Sequence, residues 1–153
     1  MTSHAGFTLF LGLALALAAI YDFRQMRVPD RLNLAIAVGG VAYWLFANPD
    51  FLGAQFLSGA AFGGSVWLLR EAHARLAGRI GLGLGDVKLA AAGAIWLNPV
   101  MLPLFLFAAS LSGLVYATAQ TFVQGGDLRQ TRIPFAPFLS GSILFCWLLE
   151  QWP

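Results

Sequence analysis

The chain has 153 residues and a mass of 16.4 kDa; 59% are hydrophobic, 10% are charged and the mean hydropathy is +0.74. A soluble domain is about 45–50% apolar and about 25% charged. A core this small could not hide so much apolar surface. An ordinary soluble domain, a disordered chain and a nucleic-acid binder are therefore excluded. A pI near 9.1 does not rescue the last, since nine basic residues face seven acidic ones.

One helical span takes roughly 20 apolar residues. Six apolar runs follow in chain order: Ala5–Tyr21, Leu32–Ala47, Phe51–Leu69, about Asp86–Leu97, Leu104–Val123 and Ile133–Trp152. A secretory signal peptide would carry a positive n-region. The lead-in Met1-Thr2-Ser3-His4 has none, so the first run reads as a retained span. The fourth run is short, and the stretch Arg70–Gly85 before it reads as a polar, Gly-rich loop. The expectation is an all-α polytopic membrane protein of about six transmembrane helices, with residues 1–153 forming a single membrane-embedded domain. Small residues such as Gly39-Gly40, Gly59 with Gly63 and Gly64, Gly93, Gly113 and Gly141 read as packing positions, since they let helices approach closely in lipid. Trp44, Trp147 and Trp152 read as lipid-facing or interface anchors. Cys146, the single cysteine, reads as a packed thiol; it excludes an internal disulfide and a CxxC site.

The charges orient the spans. Arg24, Arg27 and Arg31 lie between the first two runs. Arg70, Arg75, Arg79 and Lys88 lie between or just after the third loop's ends, and Arg129 and Arg132 between the last two runs. These are all nine basic residues, and they fall on alternate loops. By the positive-inside rule those loops face the cytoplasm and both termini face outward. Glu71 is expected to pair with Arg70 and Arg75, while Asp50 and Glu150 read as outer interface residues.

Asp22 ends the first run and Asp86 begins the fourth, so both fall at membrane depth on the cytoplasmic side. An acid there is a functional candidate, because burying it is costly. Two neighbouring carboxylates tend to share a proton, which suits one as base and the other as acid. If the first helix stops at Asp22 and the fourth starts at Asp86, helix dipoles put the charge on Asp86 and the shared proton on Asp22. The roles exchange if the first helix continues. The plainer reading is two helix-end carboxylates, each paired with an Arg or capping a helix. Gly83 and Gly85 precede Asp86, and glycine lets a substrate backbone come close. Lys88 is a substrate contact, a tuning charge or a snorkelling interface lysine. Asp30 and Asp127 are candidates to attract a basic substrate, or act as a cap and a turn residue. His4 and His73 have no partner at ligand spacing, so no metal site and no cofactor are expected.

Three segments carry a family resemblance: Asp22 followed seven residues later by Pro29-Asp30, then Gly83-Leu84-Gly85-Asp86-Val87-Lys88, then Ile133-Pro134-Phe135-Ala136-Pro137-Phe138-Leu139. Over about residues 5–150 the chain resembles the type IV prepilin leader peptidases, a family of GxGD membrane aspartyl proteases. The resemblance implies Asp22 and Asp86 as the catalytic pair. It also implies cleavage of a short basic leader from pilin precursors at the cytoplasmic face of the inner membrane, beside which Gly83, Gly85, Lys88 and Asp30 stand as the substrate-side candidates read from the residues. The partners it implies are a prepilin, the lipid bilayer and pilus-assembly machinery. Ala136 stands where the family has glycine, which puts close backbone contact there in question. The CxxC-bearing segment linked to N-methylation in larger relatives is absent from these residues, so the chain looks like the short peptidases of tight-adherence (Flp-type) systems, and methyltransferase activity is not expected. Archaeal preflagellin peptidases are similar in motif and stay open. The presenilin-type GxGD proteases share Tyr21-Asp22 and the GxGD string but add a PAL segment not found here. Outside the proteases, a small proton-coupled carrier or an inactive pilus-assembly scaffold remain as alternatives.

Overall fold

Six helices account for most of the chain in the computed structural model, which describes residues 2–78, 81–124 and 133–152. They are α1 (Thr2–Gln25), α2 (Asp30–Ala47), α3 (Leu52–Ala77), α4 (Leu84–Ala94), α5 (Leu102–Gln124) and α6 (Ala136–Gln151), with short 3-10 turns at Pro49–Phe51 and Pro99–Met101. No strand occurs among the described residues. The all-α expectation holds. Three stretches, His4–Gln25, Pro49–Ala77 and Pro99–Val123, are long and apolar enough to cross a membrane. The 11-residue α4 is not. At 1.5 Å per residue it reaches about 16 Å, roughly half the hydrocarbon core of a bilayer.

The stretch Arg70–Ala77, expected as loop, is helix. Its Arg, Glu, Ala and Leu residues are good helix formers. Arg75 donates from Nε to Glu71 Oε1 at 3.2 Å, one turn apart with the acid nearer the N-terminus, the favourable order. The Arg70 guanidinium also reaches Glu71, at 3.6 Å, so the expected Glu71 pairing is present on a helix. Arg70 is only 12% exposed and donates from Nε to the Leu82 carbonyl at 2.9 Å, which ties the α3–α4 connection back onto α3. The helix stops at Gly78, whose φ of 67° suits a left-handed C-terminal position. At the end of α1 a similar conformation is taken by Met26, φ 52°, whose N–H closes onto the Asp22 carbonyl at 2.9 Å. Arg79, Asp127, Arg129 and Arg132 lie outside the described residues.

Consecutive helices alternate in direction. At one end, Asp22 of α1 meets Ala136 at the start of α6, Asn33 of α2 meets Gly85 of α4, and Arg70 meets Leu82. At the other end, Trp44 Nε1 donates to the Ile95 carbonyl at 2.8 Å and the Asn98 N–H donates to Glu150 at 2.7 Å. Among the described residues, Arg24, Arg27, Arg31, Arg70, Arg75 and Lys88 all belong to helix ends or connections on the first side.

Trp147 is not a lipid anchor. It is fully buried and donates from Nε1 to Thr8 Oγ1 at 3.0 Å. Trp44 is likewise turned inward by its bond to Ile95. Trp152, 82% exposed, keeps the expected outward position. The reason is packing: Trp147, Trp96 and Tyr43 form an edge-and-stack cluster with ring centroids 4.8–6.0 Å apart, and Trp96 Nε1 donates to the Ile36 carbonyl at 2.8 Å. Buried indoles whose N–H is bonded lose little by leaving the interface. Cys146 is buried, as expected.

The glycines explain how α4 fits among its neighbours. A Cβ on Gly59 would lie 2.6 Å from Ile95 Cγ1, and one on Gly63 would lie 2.5 Å from Ala91 Cβ, so α3 and α4 meet backbone to backbone. A Cβ on Gly93 would run into Ile143 of α6. Gly64 and Gly141, in contrast, face open space. Replacing Gly63 by Val should therefore force α3 from α4 and cost about 1–3 kcal/mol, a typical overpacking loss. Gly64→Val, one position along the same helix, should leave the thermal midpoint in detergent unchanged or slightly raised. Equal midpoints for the two variants would contradict the contact.

Candidate active site

Asp22 lies in the last turn of α1, only 5% exposed. An isolated carboxylate would be costly there. Its partner comes from the far end of the sequence: the Ala136 N–H donates to Asp22 Oδ2 at 2.9 Å. Ala136 is the first residue of α6, and Pro137 behind it suits a first turn. A helix start carries N–H groups with no intrahelical acceptor and the positive end of the dipole. The Ile133-Pro134-Phe135 segment thus delivers an anion-binding helix end to Asp22. Alanine in place of glycine does not prevent this contact, because the donor is the backbone.

Asp86 is the third residue of α4, partly buried, with its carboxylate turned back over the Gly83 backbone. The two acids are 64 positions apart in sequence, yet Asp86 lies near enough to feel the charge of Asp22. Gly83 is exposed, and a Cβ on it would lie 3.1 Å from Asp86 Oδ2, so a side chain there would crowd the carboxylate. Gly85 has a different use. Its missing Cβ admits the Val28 backbone, whose N would lie 3.4 Å from that Cβ. The space beside Gly85 is filled by this chain, whereas Gly83 stays open to the outside.

Lys88 and Asp30, each expected as a possible substrate contact, meet one another: Nζ donates to Asp30 Oδ1 at 2.7 Å. Asp30 opens α2 after Pro29, where a carboxylate complements the helix's positive end. Asn33 was not singled out from sequence. It is 5% exposed and donates from Nδ2 to the Gly85 carbonyl at 3.3 Å. The available signal was a lone amide inside an apolar run; its partner, 52 residues away, leaves no trace in spacing. Among the described residues no three His, Cys, Asp or Glu side chains are grouped to hold a metal ion.

The arrangement is a pair of carboxylates at the polar end of an apolar helical bundle, one buried and anchored, the other partly buried beside an exposed glycine. It can take a proton from water and give one to a substrate. Fold and site thus define a helical membrane protein with a two-carboxylate centre. Comparison with known proteins then places it: the family model of the Type IV leader peptidase family matches residues 9–118, and the chain belongs to that family. The match contains both Asp22 and Asp86; α6 lies beyond it. Similar curated proteins are each named prepilin leader peptidase/N-methyltransferase. One from Aeromonas salmonicida is 31% identical over 91% of this chain and 48% of its own length. One from Dickeya chrysanthemi is 36% identical over 90% of this chain and 48% of its own, and one from Dichelobacter nodosus 34% over 88% and 46%. The chain spans about half the length of the curated relatives it matches. No solved structure matches it.

The two acids should differ when removed. Asp22→Ala leaves the buried Ala136 N–H without an acceptor, which costs about 1–3 kcal/mol. Asp22→Asn keeps an acceptor oxygen and should lose less. Asp86→Ala removes a partly exposed group and should leave the thermal midpoint close to that of the parent. Equal destabilisation by the two alanine variants would argue against the Ala136 contact.

Proposed function

We propose that this chain is a membrane aspartic endopeptidase that removes the short basic leader from prepilins of the Flp type, with Asp22 and Asp86 as its catalytic pair. The observation that carries the proposal is that Asp22 is held by the α6 N-terminus while Asp86, from α4, comes near enough to feel its charge. Membership of the leader peptidase family and the printed names of the relatives support the same chemistry.

In the proposed reaction, water attacks the scissile carbonyl carbon. Asp22 takes a proton from that water and Asp86 gives its proton to the carbonyl oxygen, leaving a tetrahedral diol. The C–N bond then breaks, the departing amine takes the proton held on Asp22, and the diol returns one to Asp86. The assignment exchanges the roles expected from the sequence, because α1 runs on to Gln25 and because an N–H donor and the positive end of α6 face Asp22. Gly83, exposed beside Asp86, is the position where an extended substrate backbone can come close.

The alternating helix directions support both termini lying outward, and the basic side chains on the carboxylate side support a cytoplasmic site in the inner membrane. Methyl transfer is not part of the proposal, since Cys146 alone cannot form paired CxxC motifs. A proton-coupled carrier is disfavoured: both acids lie at one end, and Trp96, Tyr43 and Trp147 fill the other. Co-expression with a neighbouring Flp-type prepilin should convert it to the shorter mature form on a gel. Asp22→Ala and Asp86→Ala should each abolish conversion while the protein stays in the membrane fraction. Parent-level cleavage by either variant overturns the pair, and no cleavage by the parent of any co-expressed prepilin favours the scaffold.

A further inference from the structure

The direction in which Asp86 points depends on how the first turn of α4 is set about the helix axis. Successive helical residues turn by about 100°, so Gly85 and Lys88, three apart, share a face while Asp86 points elsewhere. That shared face meets the start of α2 at three points. The Val28 backbone packs on Gly85, the Asn33 amide donates to the Gly85 carbonyl, and Asp30 accepts from Lys88 at 2.7 Å. The first two fix how closely α2 approaches. Contacts from Gly59, Gly63 and Ile143 grip α4 from Ala91 onward, whereas at its first turn both α2 contacts act at Gly85. The Lys88–Asp30 pair acts one turn further along and gives the first turn a second fixed point.

We propose that Lys88 and Asp30 are a positioning pair that holds the first turn of α4 in the setting that keeps Asp86 near Asp22, rather than contacts for the substrate. The assignment rests on the peptidase function proposed above. The side chains are 51% and 73% exposed. Exposed pairs of this kind add little to global stability. Their effect is on where one carboxylate points, and misplacement on the order of 1 Å can cost up to about 100-fold in rate. Arg27 and Arg31 flank Asp30 in sequence and are exposed, so Asp30 is the carboxylate between two arginines that Lys88 selects.

The test is charge reversal in the purified full chain, assayed with a Flp-type prepilin in one detergent. Lys88→Asp and Asp30→Lys should each lower kcat about tenfold, within the range that small misplacements produce, with KM within about twofold of the parent and an unshifted thermal midpoint. Combining the two reversals should restore kcat to within about threefold, and Lys88→Arg should retain it. A raised KM with unchanged kcat would assign the residues to substrate binding and overturn the pair. So would parent-like kcat in the single reversals, or a combined variant slower than either. Amide hydrogen exchange gives a second readout that needs no activity: exchange at Val87, whose N–H bonds to the Gly83 carbonyl, and at Lys88 should quicken in each single reversal and return to parent rates in the combination. No change in exchange would also overturn the proposal. Asp86→Ala separates the two levels, since cleavage by that variant defeats the peptidase function itself while the exchange result still decides the pair.

Discussion

The hydrogen bond from the Ala136 N–H to Asp22 joins the first and last helices of the chain and solves two problems at once. Every helix begins with backbone N–H groups that no residue of its own can satisfy. In an apolar, buried position such a group is expensive, and so is an unpartnered carboxylate. Here each is the other's remedy, across 114 positions of sequence. The helix start of α6 thereby becomes part of the candidate site, and the orientation of α6 against α1 becomes part of what fixes Asp22. An acid at this depth would otherwise be a liability; with the donor in place it is a held group with one oxygen committed.

The second constraint is the shortness of α4. It reaches only about half a bilayer's hydrocarbon core, yet it carries Asp86 and is enclosed by α2, α3 and α6. Such a helix cannot rely on lipid contact and must be gripped by protein. Gly59 and Gly63 bring α3 to its backbone, and its own Gly93 admits Ile143 of α6. Beyond its C-terminal end the chain stays buried through Ile95, Trp96 and Leu97, whose exposed-backbone cost is met in part by Trp44 bonding to the Ile95 carbonyl. Before its N-terminal end, Arg70 bonds to the Leu82 carbonyl. Irregular backbone at such depth is tolerated where it is buried in protein and satisfied. The aromatic cluster around Trp96 fills one end of the bundle, and the carboxylates lie at the opposite end.

What the sequence revealed follows from where its signals are sparse. Charges are so few that Asp22 and Asp86 stood out at once, and the motifs around them are local in sequence. The Gly59–Gly63 spacing spoke for a close helix contact and one is present. The inward turn of Trp147 and Trp44 was not legible, because helices that are apolar on every side carry no periodic mark separating a core face from a lipid face. The helical extension through Arg70–Ala77 was masked by its polarity, although its propensities and the Glu71–Arg75 spacing favour helix. Asn33, Lys88 with Asp30, and Ala136 with Asp22 depend on partners 52, 58 and 114 residues away, and nothing in local spacing encodes such pairings.

For the proposed reaction, the contrast between the two acids supplies a physical basis for acid–base work by chemically identical side chains. Asp22 is buried, bonded to a backbone donor and faced by the start of a helix. Asp86 is partly open, folded over a glycine, and feels the charge of Asp22. Environments that differ in this way separate the proton affinities of a pair and so divide the roles between its members. The division also sets a direction of approach. Water and an extended peptide can reach Asp86 beside the exposed Gly83, whereas Asp22 is shielded by α6 on the side where Ala136 sits. In the proposed reaction a scissile bond brought in along Gly83 would meet Asp86 first, with the anchored Asp22 behind it to take the proton from water.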